Sequence, residues 1–129
     1  MTLHEIANVV TAAIDERRKA RIAEIREKEK VFFDKLKRIG LKDAQIEGVE
    51  WLSATYDLGL SCILGDGMGF GKTAQSIFFL FRLRSIGVNG PFLIAVPSNV
   101  LASWTNELND WSSLWLQHIG EYARFNVYT

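Results

Sequence analysis

A single cysteine, Cys62, has no second thiol to pair with, which excludes a disulfide-stapled secreted scaffold and a cysteine-ligated structural zinc. Long apolar runs are also missing. The longest stop at stretches such as Ile77 to Phe81, where a membrane span needs about twenty residues, and the N-terminus reaches Glu5 before any signal-like apolar core. No charge of one sign prevails: fifteen Lys plus Arg face fifteen Asp plus Glu, so no global basic field draws the chain onto nucleic acid or anionic lipid. The two histidines, His4 and His118, stand apart, without neighbours that would make a catalytic or metal-binding group. An intracellular, soluble protein with no membrane contact is expected.

What the chain does have is apolar material, 48% of 129 residues, enough for one packed core and too short for two ordinary domains. Charge is unevenly spread. Residues 1 to 42 hold 11 of the 15 basic and 7 of the 15 acidic side chains, leaving the remainder of the chain acidic. The division expected is a charged helical extension over residues 1–40 and a separate unit over 41–129.

Thr2 and Glu5 have capping-box spacing, with Met1 and Ile6 placed for a hydrophobic staple, and Leu3, Ile6, Val10, Ala13 and Ile14 mark a helical face. The densely charged stretch from Asp15 to Ile39 keeps Ile22, Ile25, Phe32, Leu36 and Ile39 on one stripe, and Lys37 and Arg38 lead into Gly40 as a helix C-terminus prefers. The plain reading is a solvated helix docked along one face; a basic surface for DNA is the alternative. From Leu41 the elements shorten. Ala44 to Tyr56 is predicted helical through Ile46, Val49, Trp51 and Leu52, Leu60 to Leu64 is a strand, and Thr73 to Ile86 is a helix. Phe92 to Val96 is a second strand, a helix with Leu101, Trp104, Leu108, Trp111 and Trp115 inside follows, and Phe125 to Tyr128 starts a third strand. This series predicts an α/β fold with a parallel sheet.

Between the first strand and its helix lies Leu64-Gly65-Asp66-Gly67-Met68-Gly69-Phe70-Gly71-Lys72-Thr73, the position of a phosphate loop. Backbone N–H groups can turn inward around phosphates only where no Cβ blocks them, and the following helix adds its positive end. Lys72 would reach the β and γ phosphates and Thr73 would ligate magnesium. Asp66 stands where the strict motif has glycine. The overlapping string Gly69-Phe70-Gly71-Lys72-Thr73-Ala74 also satisfies the dinucleotide fingerprint, but the second strand runs into Pro97-Ser98-Asn99 where that fold needs an acidic ribose ligand.

Together, Leu41 to Trp111 resembles the first RecA-like lobe of the Snf family, the Swi/Snf-type ATPases of helicase superfamily two. Three blocks carry the likeness. Leu41 to Leu52 is similar to the adenine-reading Q motif, with Gln45 as the adenine ligand and Ala44 in place of the usual tyrosine. Ile63 to Ile77 is similar to motif I, which includes Asp66 and departs at Gly67 and Phe70. Gly90 to Pro97 with Leu101, Trp104, Glu107 and Trp111 is similar to motif Ia, whose helix lies against DNA in relatives. Lys72 to Ile77 and the preceding charged helix lean towards the Ino-eighty or imitation-switch remodellers.

The resemblance implies a partial RecA-like fold, ATP and magnesium as cofactors, a nuclear location, and double-stranded DNA or nucleosomes as partners, with remodeller subunits reached through the N-terminal helix. Gln45, Asp66, Gly67, Met68, Gly69, Phe70, Gly71, Lys72, Thr73 and Ala74 would hold the nucleotide, with Lys72 and Thr73 serving catalysis. Ser98 or Asn99 would cap the helix after Pro97 and face a DNA phosphate. Trp104 and Trp111 read as core residues beside Leu101 and Leu108. Relatives hydrolyse ATP with a later Asp-Glu pair, whereas the only such pair here, Asp15-Glu16, precedes the loop. The expectation is therefore the first part of an ATP-driven DNA translocase, inactive and poorly stable by itself. The other readings are a non-catalytic nucleotide-binding remnant, an interaction module, and a small kinase, which would need acidic magnesium ligands and a lid.

Overall fold

The computed structural model describes residues 1–65, 71–121 and 125–128. Four helices carry the fold: α1 (Leu3–Arg38), α2 (Asp43–Asp57), α3 (Lys72–Ser85) and α4 (Leu101–Ile119), with a single 3-10 turn at Ser98–Val100. Among the described residues there is no strand, so the expected α/β architecture with a RecA-like parallel sheet is not the fold observed. The predicted strands are the elements at fault. Leu60 to Leu64 and Phe92 to Val96 have strand length and composition, yet Ile63 is 89% exposed and Leu93 is 94% exposed. A helix closes its own hydrogen bonds, whereas a strand exists only as one side of a ladder, and neither run has a partner strand here. Phe125 to Tyr128 likewise forms no strand.

The two helical stretches expected before Gly40 are one 36-residue helix. The Thr2–Glu5 capping box forms as the spacing predicts, with Glu5 N–H donating to Thr2 Oγ1 at 3.2 Å and Thr2 N–H donating to the Glu5 carboxylate at 2.6 Å. No staple accompanies it, since Met1 and Ile6 are both exposed. At the other end Leu41 N–H reaches Leu36 O and Gly40 N–H reaches Lys37 O, a Schellman-type closure that needs the positive φ of Gly40.

Only the last turns of α1 are docked. Phe32 and Leu36 are buried, while the residues before Glu29 are exposed throughout, forming a projecting arm of roughly 39 Å at 1.5 Å per residue. Phe32 packs on Trp115 of α4, and Trp115 also meets Phe81 edge to face at a ring separation of 5.3 Å. Trp111 meets Phe78 the same way at 5.0 Å. Trp104 and Trp111, predicted to be core residues, are partly buried and pack against the core cluster, in which Leu108 and Trp115 are the buried members from α4. Trp51, predicted to face inward, is exposed. The C-terminal ends of α1 and α4 are tied by Lys35 to Glu121 and by Arg38 Nη2 donating to His118 O at 3.3 Å. No helix among the described residues is long and apolar enough to cross a membrane.

Arg82 joins three helices at one point. Its side chain is 1% exposed, and it donates from Nε to Glu29 Oε1 of α1 at 3.0 Å and from Nη1 to Asp57 Oδ1 of α2 at 2.8 Å. Burial opposes the charged guanidinium, but its hydrogen bonds to Asp57 and then Glu29 outweigh it and raise its pKa above the ordinary value. Of the three only the guanidinium is buried, Glu29 being 28% and Asp57 48% exposed, so truncating Arg82 forfeits its packing and its hydrogen bonds to both carboxylates.

Two predictions follow from these contacts. Arg82→Ala should lower unfolding stability by about 3 kcal/mol in urea titrations, whereas Lys28→Ala, which breaks only the exposed Glu24–Lys28 pair, should change it by less than about 0.5 kcal/mol. The Glu5 carboxyl is held below its ordinary value of 4.5 by the Thr2 backbone N–H. A depressed pKa stabilises the folded form above the unfolded value, and that contribution is lost as pH falls through the folded value. The first turn of α1 should therefore fray below pH 4.5, read as a shift and broadening of the Glu5 amide resonance that Thr2→Ala removes.

Candidate functional site

The helices meeting at the candidate site are α2 and α3. Gln45 adjoins Gly71, Gly48 adjoins Gln75, Tyr56 meets Phe79 at a ring separation of 5.9 Å, and Asp57 meets Arg82. The partners advance together along both helices, so α2 and α3 run parallel and present their N-termini at the same end. A helix N-terminus carries unsatisfied N–H groups and roughly half a positive charge.

The two ends are finished differently. At α2 the N-cap is Lys42, whose ammonium has no acceptor lone pair, so Gln45 completes the cap instead: Lys42 N–H donates to Gln45 Oε1 at 3.0 Å. That bond occupies the amide oxygen and turns Nε2 towards Gly71. Asp43 adds a carboxylate to this first turn. At α3 the N-cap is Gly71, with φ 73 and ψ 44, and the first turn holds no acidic residue. Gly71 supplies no capping side chain, and a helix N-terminus of this kind favours an anion.

Lys72 opens α3 and is exposed; Thr73 is half-buried; Ala74 is buried in the core. Gln45 and Gly71, 26 positions apart in the chain, are in direct contact, and a Cβ built on Gly71 would stand 3.2 Å from Gln45 Cδ. Two expected blocks, the glutamine and the end of the glycine loop, are therefore brought together. Asp66, Gly67, Met68, Gly69 and Phe70 lie outside the described residues. Ser98 and Asn99 sit exposed in the 3-10 turn before α4, with no described contact to the Gln45–Gly71 end. Neither caps α4 as expected, because Val100 occupies the N-cap and the intervening turn is closed by Val100 N–H on Pro97 O.

The feature that sequence reasoning missed is the fit of Gly48 to Gln75. A glycine inside a helix, away from either cap, was the available signal. Among the described residues no group of three or more His, Cys, Asp or Glu side chains is placed to hold a metal.

The glycine conformations give a contrast that can be measured. Gly71→Ala puts a Cβ on a left-handed backbone and against Gln45, and should cost about 1–2 kcal/mol in thermal or urea unfolding. Gly65→Ala meets nothing within 4 Å and should be close to neutral.

Comparison with known proteins gives this end of the molecule its context. No solved structure matches the chain. Human chromodomain-helicase-DNA-binding protein 8 is 42% identical over 74 residues, covering 57% of this chain and 3% of its own length. The Caenorhabditis elegans homolog of SWI/SNF-related matrix-associated actin-dependent regulator of chromatin subfamily A containing DEAD/H box 1 is 48% identical over 71 residues, 55% of this chain and 7% of its own. Chicken chromodomain-helicase-DNA-binding protein 7 is 42% identical over 74 residues, 57% of this chain and 2% of its own. The chain thus spans a small fraction of these relatives. The sequence profile of the SNF2-related domain matches residues 44–122, which takes in α2, the glycine loop, α3 and α4, and the chain belongs to that family.

Proposed function

We propose that this chain is the ATP-binding segment of a nuclear chromatin-remodelling ATPase that acts on double-stranded DNA or nucleosomes. The observation that carries the reading is the contact between Gln45 and Gly71 at the shared N-terminal end of two parallel helices, within the region matched by the SNF2-related domain. The family supplies the chemistry, and the residues present fit a nucleotide. An anion is favoured at the α3 end, whose N-cap has no side chain, Lys72 stands exposed there as a cation, Thr73 offers a hydroxyl, and Gln45 offers an amide donor.

In this reading Lys72 holds the β and γ phosphates, the Thr73 hydroxyl ligates the magnesium that arrives with ATP, and Gln45 meets the adenine edge. Asp66, Gly67, Met68, Gly69, Phe70, Gly71 and Ala74 complete the phosphate loop. Magnesium, once bound, screens the phosphate charge and orients the γ-phosphoryl group. Ser98 and Asn99, exposed ahead of α4, are the candidates for a DNA phosphate contact. The Asp-Glu pair of the chain, Asp15-Glu16, lies on the α1 arm and is given no part in this site.

A second reading rests on α1. Its exposed arm carries Leu3, Val9, Val10 and Ile14 on a surface that nothing among the described residues covers, which favours a non-catalytic interaction module or a contact with remodeller subunits. The two readings separate on one variant. Lys72→Ala in the full-length protein should abolish DNA-stimulated ATP turnover and weaken binding of a fluorescent ATP analogue. Unchanged turnover would overturn the nucleotide assignment, and a wild-type protein that is folded, monodisperse and indifferent to Mg-ATP would leave the interaction module.

A further inference from the structure

The helix pair contains a glycine that helix chemistry alone disfavours. Gly48 lies in the middle of α2, where glycine costs about 1 kcal/mol relative to alanine, and it is fully buried. Its missing side chain is occupied by Gln75 of α3: a Cβ on Gly48 would stand 2.6 Å from Gln75 Cδ and closer still to Oε1. Gln75 is itself 0% exposed, so making room for a Cβ at Gly48 requires its buried amide end to shift or the two helices to part.

This contact lies one turn from the candidate site on both helices. Gly48 follows Gln45 by three positions and Gln75 follows Gly71 by four, the spacings that place residues on one ridge of a helix. The separation of the helices at Gly48–Gln75 therefore sets the separation of Gln45 from the N-terminus of α3. Resting on the nucleotide reading above, the geometry points to Gly48 and Gln75 as a positioning pair that fixes the distance between the base-reading glutamine and the phosphate-binding helix end.

The role differs in kind from that of Lys72 and Gln45. Neither Gly48 nor Gln75 is given a contact with nucleotide; together they set a spacing. A side chain added at Gly48 drives α2 away from α3 and separates the two halves of the site, while each half keeps its own groups. The loss should appear in ATP affinity and be repaired by restoring room at the contact rather than by restoring any ligand.

The test uses the full-length protein and the magnesium complex of a fluorescent ATP analogue. Gly48→Ala should bind about tenfold more weakly, in line with overpacking of a close contact, with KM raised and turnover at saturation little changed. Adding Gln75→Ala should return affinity to near that of the wild type. Helix propensity alone predicts the opposite sign, since alanine favours the helix. If Gly48→Ala fails to fold, the double variant decides: folded and binding supports the pair, whereas unfolded or non-binding overturns it. Wild-type affinity in Gly48→Ala, while Lys72→Ala loses binding, overturns the positioning pair alone. A wild-type protein that does not bind the analogue overturns the nucleotide reading itself.

Discussion

The parallel docking of α2 on α3 is the constraint from which the rest of the arrangement follows. Two helices that run the same way must place both N-termini together, and here those termini carry Gln45 and Gly71. The pairing is held at three levels. Gly48 and Gln75 allow close approach near the N-terminal end, Tyr56 and Phe79 stack edge to face further along, and Asp57 and Arg82 close the far end. Because the charged group and the candidate site lie at opposite ends of α3, stability and binding are served by different residues of one helix.

Around this pair, α4 contributes mass and α1 contributes anchorage. Trp111 and Trp115 cover Phe78 and Phe81, so α3 is packed by α4 as well as by α2. The last turns of α1 reach the same cluster through Phe32 and the same guanidinium through Glu29, which explains why a helix so heavily charged is fixed at its C-terminal third. Among the described residues nothing comparable holds its first turns, whose capping box is made by local groups.

Legibility in the sequence followed the range of the interactions. Features closed within a few residues were readable: the Thr2–Glu5 box, the Gly40 stop, the limits of α2 and α3 to within a residue, and the inward tryptophans of α4. Features needing a distant partner were not. The apolar runs at Leu60 and Phe92 read as strands because their composition fits a buried sheet, yet no ladder partner meets them among the described residues, and both stay without regular secondary structure and largely exposed. Ser98 and Asn99 looked like caps by type, but the chain turns once more before α4 begins. Gly71 was legible as a loop glycine, while its contact with Gln45 was implied only by the family resemblance, since 26 positions of chain separate the two. The role of Gly48 depends wholly on what lies across from it.

The central claim is that Gln45 and the α3 N-terminus form one nucleotide site. The most direct measurement is photolabelling of the full-length protein with an azido-adenine ATP analogue, followed by peptide mapping of the adduct. The account predicts labelling at the first turns of α2 around Gln45, suppressed by excess Mg-ATP and absent from Lys72→Ala. Competable labelling confined to other segments, or labelling at Gln45 that Lys72→Ala leaves intact, would contradict it.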